Sequence, residues 1–157
     1  MKTTEKIIIS AIIGTTFMTL YSYWRSKKEQ QEYTEPVMIN KLIDNSENLP
    51  QLNNQDIHPA GWGLHYLTGV AFVSGYWVIW KKALKRPTLF RISLIGSLSG
   101  ITGIIVWKAL FMQHDNAPKN YRYGYYKQLF FAHIIFTAFA LITYKSLERI
   151  GNKTEMI

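Results

Sequence analysis

The chain has 157 residues, the size of one domain, with no cysteine and a formal net charge of +8. Disulfides, thiolate metal ligands and cysteine nucleophiles are therefore excluded. A mean hydropathy of −0.05 averages apolar runs with very polar segments, and the basic residues sit at the edges of those runs. There, anionic headgroups and topology account for them more simply than nucleic acid does.

The first apolar run is "IIISAIIGTTFMTLYSYW" (7–24). Lys2 and Lys6 precede it as in a secretory signal, but no small-residue cleavage site follows. "YSYWRSKK" reads as an aromatic belt with basic anchors, so the run is expected to remain as a first span. Three further runs follow: "WGLHYLTGVAFVSGYWVIW" (62–80), "ISLIGSLSGITGIIVWKALFM" (92–112) and "QLFFAHIIFTAFALITY" (128–144). Each approaches the roughly 20 residues that a helix needs to cross a hydrocarbon core about 30 Å thick. No acidic residue falls inside them, and Lys108 is their only ionised side chain. A soluble bundle would carry a charged stripe on each helix. The expected fold is thus all-α: an integral membrane four-helix bundle, one polytopic domain over residues 1–157.

The connection from 25 to 61 holds most of the acidic residues, Glu35 among them. Within it, "EPVMINKLIDNSENLP" places Pro36 at a helix start, and Met38, Ile39, Leu42 and Ile43 recur at helical spacing. This predicts a short amphipathic helix over about 36–48, lying on the bilayer or capping the bundle. The turn "KKALKRPTLFR" (81–91) is the most basic short segment and shares a side with both termini. The positive-inside rule then makes the termini cytoplasmic, although "WRSKK" pulls the other way.

"HPAGWGLHYLTG" (58–69) opens the second span with His58 as N-cap, Pro59 at the first helical position and an interfacial Trp62. "HYLTGVAFVSGY" (65–76) and "HIIFTAFALITY" (133–144) match in their histidine, in a small or hydroxyl residue four positions on and in a tyrosine eleven positions on. Offsets of four and eleven correspond to about 40° and 20° on a helix, so His65, Gly69 and Tyr76 share one face, as do His133, Thr137 and Tyr144. A duplicated helical hairpin would explain the repeat. In the third span Gly96, Gly100 and Gly103 form a small-residue stripe for helix packing and for contact with a second copy.

With four spans, His58, His65, His114 and His133 collect at one end of the bundle, with Lys108 just inside it. Ionisable groups at membrane depth are costly and are functional candidates by default. His65 and His133 are the candidate ligands for a metal, haem or quinone. Their spacing matches no established metal motif, however, and Ser74 falls on the far side of its helix from His65. No cofactor is required by the sequence, and a binding, transport-accessory or envelope role is favoured over an enzyme. The expected partners are the lipid bilayer and a second copy or another membrane protein, with no nucleic acid.

"GWGLHYLTGVAF", "RPTLF", "LFMQ" and "QLFFAHIIF", with the proline-led "EPVMINKLI", resemble successive landmarks of an uncharacterised group of bacterial four-helix integral membrane proteins, a domain of unknown function. The resemblance covers about residues 36–145. It implies the bacterial inner membrane and a multi-pass topology, and it carries no activity. Lys108 and "HDNAPKN" depart from the more apolar, glycine-rich pattern of that group.

Overall fold

The computed structural model describes residues 1–154. Six helices are present among them: α1 (Thr3–Glu29), α2 (Glu35–Asp44), α3 (Pro59–Ile79), α4 (Lys81–Lys85), α5 (Leu89–Gln113) and α6 (Arg122–Thr154). No strand occurs among the described residues.

Local chemistry marks the helix ends. Glu5 accepts from the Lys2 amide at 2.9 Å to cap α1, and Gln30 closes that helix in a left-handed conformation with φ 52°. Thr88 caps α5 by accepting from Arg91 N. His58 is the N-cap of α3, its Nδ1 accepting from Ala60 N at 3.3 Å, with Pro59 opening the helix.

Three helices, α1, α5 and α6, are long and apolar enough to cross a membrane. Less than a third of the apolar stretch of α5 is buried inside the protein. Its exposed Leu94, Leu98, Ile101, Ile105 and Val106 would make an unusually large apolar surface in water. Basic side chains stack on aromatic rings at helix ends, Lys27 on Tyr23, Lys28 on Trp24 and Lys81 on Trp77. Such pairs suit the headgroup region. Four spans were expected from the apolar runs, and α3 does not join the other three. At 21 residues it is long enough, but its histidine, tyrosines, tryptophans and glycines dilute its apolar character.

The longest helix, α6, is the hub. It packs closely against α1 and α5, whereas α3 packs against α1 and α2. Lipid offers no hydrophobic advantage for bringing helices together, so close approach depends on small residues. On α1 these form a stripe that turns inward, Ser10, Ala11, Gly14, Thr15, Thr19 and Ser22. On α5, a Cβ at Gly96 would stand 2.8 Å from Ile134 Cα, and one at Gly100 would stand 3.1 Å from Phe130 Cα. The glycine stripe is therefore occupied by α6 of the same chain and is not open to a second copy. A duplicated hairpin with two-fold packing would match the α1–α6 contact with an equal α3–α5 contact. Among the described residues α3 and α5 have no comparable contact, so the repeated stripes do not produce a symmetric bundle.

The short amphipathic helix is α2, ending at Asp44 rather than near residue 48. It caps the bundle. Asn40, fully buried, accepts from Gly61 N at 2.7 Å and donates to the carbonyls of Gln55 and His58 at 2.7 and 3.0 Å. It thereby satisfies an amide of the first turn of α3 that has no partner within the helix. A Cβ at Gly61 would collide with Pro36 O and the Asn40 side chain, so this contact requires glycine.

Candidate functional site

The gap left between α3 and α5 contains a cavity of about 150 Å³. Most of its wall is apolar or aromatic, including Met18, Phe72, Trp107 and Phe136. Three ionisable side chains reach it from three helices: Glu35 of α2, His65 of α3 and His133 of α6.

Neighbouring groups set the orientation of each imidazole. The Thr19 hydroxyl donates its single proton to Thr15 O at 2.8 Å, so toward His65 it acts as an acceptor. In the neutral ring Nε2–H then donates to Thr19 Oγ1 at 2.9 Å, and Nδ1 carries the lone pair. His133 is positioned by its own helix, where Nδ1–H donates to Leu129 O at 2.9 Å and leaves the lone pair on Nε2. That ring fits only because residue 103 is glycine; a Cβ there would lie 2.6 Å from His133 Cε1. Phe72 meets the His133 ring edge-on, centroids 5.4 Å apart. No described residue donates a hydrogen bond to either lone pair.

Glu35 closes the α2 end. Its Oε1 accepts from Ser22 Oγ at 2.8 Å and from Gln128 Nε2 at 3.2 Å, while Gln128 also donates to Ser22. Glu35 Oε2, Gln128 Oε1 and the Tyr125 hydroxyl are all buried without a hydrogen-bond partner among the described residues. No ion pair with Glu35 appears among those residues. Burial pushes the Glu35 carboxyl up to about 7, opposed by hydrogen bonds from its own backbone amide, Ser22 and Gln128 and reinforced by Glu32. The Thr15 hydroxyl on the same wall is also buried without a partner among the described residues, so the site is an apolar pocket with two imidazole lone pairs, a carboxyl and a hydroxyl on its wall.

Other residues singled out in the sequence lie elsewhere. Lys108 is exposed, about 100° around the helix from buried Trp107, and does not enter the cluster. Tyr76 and Tyr144 are buried, but eleven residues separate each from its histidine, about 16 Å along a helix. The Tyr76 hydroxyl instead bonds Ser99 Oγ at 2.6 Å and Thr137 Oγ1 at 3.0 Å. His58 serves as a helix cap. His114 accepts from Asn116 N on Nδ1, and its Nε2–H donates to Leu42 O at 2.8 Å, tying α2 to the end of α5. Gly69 fits against Thr15 on the α1–α3 contact. Among the described residues no group of three or more His, Asp or Glu is placed to hold a metal ion.

No protein family, curated protein or solved structure matches the chain.

Glu35, Ser22, Gln128 and Thr19 were not expected in the site. Glu35 read as one acid of a polar connection and Gln128 as the edge of a span. Ser22 and Thr19 did leave a signal, the small-residue stripe of α1 that recurs every three to four positions.

Proposed function

We propose that the protein is a multi-pass, four-helix protein of the bacterial inner membrane, with α3 as the fourth span and both termini cytoplasmic. Its role is that of a non-enzymatic binding component whose interior cavity receives a small amphiphilic ligand. One observation carries this reading: a cavity of about 150 Å³ with a largely apolar wall, on which four side chains from separate helices, Thr15, Glu35, His65 and His133, each keep an atom without a protein partner. Small-molecule sites combine an apolar wall with a few converging polar groups in this way. The resemblance to bacterial four-helix membrane proteins and the basic turn around α4 support the topology.

The test is saturable uptake of bromobenzene by the protein in nanodiscs, read as heavy-atom quenching of Trp107 on the cavity wall. Thr68 and Val106 line the cavity and are exposed, so a Thr68→Phe, Val106→Phe variant closes its mouth and is expected to abolish the saturable component. Quenching that rises linearly and equally in both proteins would overturn the reading.

A second reading, a redox protein or enzyme using His65 and His133 as ligands to a metal or haem, draws on the two free lone pairs. A visible spectrum and metal analysis of the purified protein test it. Unchanged spectra and metal content in a His65→Ala, His133→Ala variant would count against it.

A further inference from the structure

We propose that the cavity takes a hydroxylated aromatic ring on a hydrocarbon tail, a membrane-soluble phenol or hydroquinone, which enters from the bilayer between α3 and α5. This rests on the binding role proposed above and adds the ligand's chemistry and route.

Size comes first. A cavity of about 150 Å³ is the scale at which a protein interior accepts one benzene ring. Phe72, Trp107 and Phe136 supply aromatic walls, and Phe72 stands nearly perpendicular to Phe136 at 6.1 Å. Such walls offer a bound ring the edge-to-face and offset contacts that aromatic pairs prefer.

Polarity decides the substituent. His65 Nδ1 and His133 Nε2 are both acceptors because each ring's proton is held elsewhere, by Thr19 and by Leu129 O. Toward these two nitrogens a complementary ligand brings O–H donors. At these two nitrogens a quinone carbonyl, ester or ether would set lone pair against lone pair, whereas a phenol oxygen can donate to them and still accept from the unpartnered Thr15 hydroxyl on the same wall.

The route follows from which lining residues are exposed. Thr68 on α3 and Val106 and Leu110 on α5 line the cavity and lie on the outer surface, so the mouth opens sideways into the hydrocarbon. A groove of about 370 Å³ continues along the same seam past Ala71, Gly75, Leu98 and Thr102, and shares Phe72 with the cavity. A tail can lie there while the ring occupies the pocket.

The experiment is displacement of bromobenzene from the protein in nanodiscs, under anaerobic conditions, by a short-tailed hydroquinone, the corresponding quinone and 1-octanol. The hydroquinone should displace at about one-tenth the concentration the quinone needs, the ratio expected for two hydrogen bonds. In a His65→Phe, His133→Phe variant that ratio should fall to near one. The wild-type ratio decides alone if that variant does not fold. Equal or better displacement by the quinone overturns the proposal, and stronger displacement by octanol overturns it in favour of an alkyl ligand. Hydroquinone binding that survives Thr68→Phe, Val106→Phe overturns the lateral route. Absence of saturable bromobenzene uptake refutes the binding role itself, whereas uptake without a hydroquinone preference refutes only this inference.

Discussion

At the scale of single residues, Glu35 dominates the energetics of the site. Its carboxyl is 1 % exposed and has no cationic partner among the described residues, so ionising it in place is unfavourable. The pKa stands at about 7 in the folded chain against 4.5 in the unfolded one. Between those values the folded state keeps a proton that the unfolded state has lost. Stability contributed by this group is therefore complete below about pH 4.5, declines as pH rises through about 7 and is level above that. Glu35→Gln should remove the decline, which is on the order of 3 kcal/mol. Melting in detergent at pH 5 and pH 8 measures it, and a variant with the wild-type slope would show that Glu35 is not responsible. Thr19→Val acts on the neighbouring imidazole. It leaves His65 Nε2–H without its acceptor and should lower stability by about 1–3 kcal/mol; a melting temperature equal to wild type would show that the bond contributes nothing.

At the scale of helices, the glycines differ in what surrounds them. Gly96 faces the α6 backbone, where an added Cβ would come within 2.8 Å of Ile134 Cα, whereas Gly63 on α3 has nothing within 4 Å. Backbone cannot yield as a side-chain tip can, so Gly96→Ala should separate α5 from α6 and cost about 1–3 kcal/mol. Gly63→Ala should be neutral or stabilising by up to about 1 kcal/mol, because alanine favours the helix. Thermal unfolding of the two variants side by side checks the sign of each. Helical spacing was sufficient to place His65 with Gly69 and Gly96 with Gly103 on shared faces. The same arithmetic puts Lys108 on the outside, about 140° from Gly103, although membrane-depth cost alone had made it a site candidate. Tyr76 and Tyr144 share a face with their histidines but sit at another depth, since an azimuth carries no information about height along the axis.

At the scale of the whole molecule, α3 decides the topology. Three crossings would leave the termini on opposite sides of a membrane, and four would return them to the same side. The 157-residue sequence contains no cysteine, so single cysteines introduced at Lys2, Ser46, Lys82 and Lys145 can be labelled from either side without background. If α3 crosses, positions 2, 82 and 145 should label together from the cytoplasmic side and position 46 from the other. Labelling of 2 and 145 from opposite faces would show that α3 does not cross. Two of the polar side chains that separate α3 from the other long helices, His65 and Thr68, border the cavity. A helix lining an interior site need not be as apolar as one surrounded by lipid.

Helix content, the positions of the long helices and their apolar character were legible from the chain alone, because length and hydropathy accumulate residue by residue along a segment. The cap at His58, the proline-led α2 and the inward stripe of α5 were legible for a similar reason: a capping bond or a helical face involves residues a few positions apart. Only the tertiary structure decided that α6 is the hub, that α3 and α5 stand apart and that Glu35 reaches the same cavity as His65 and His133. Those contacts join residues far apart in sequence. They depend on which helix face meets which, at what depth and around which small residues, and no periodicity within one helix encodes its partner.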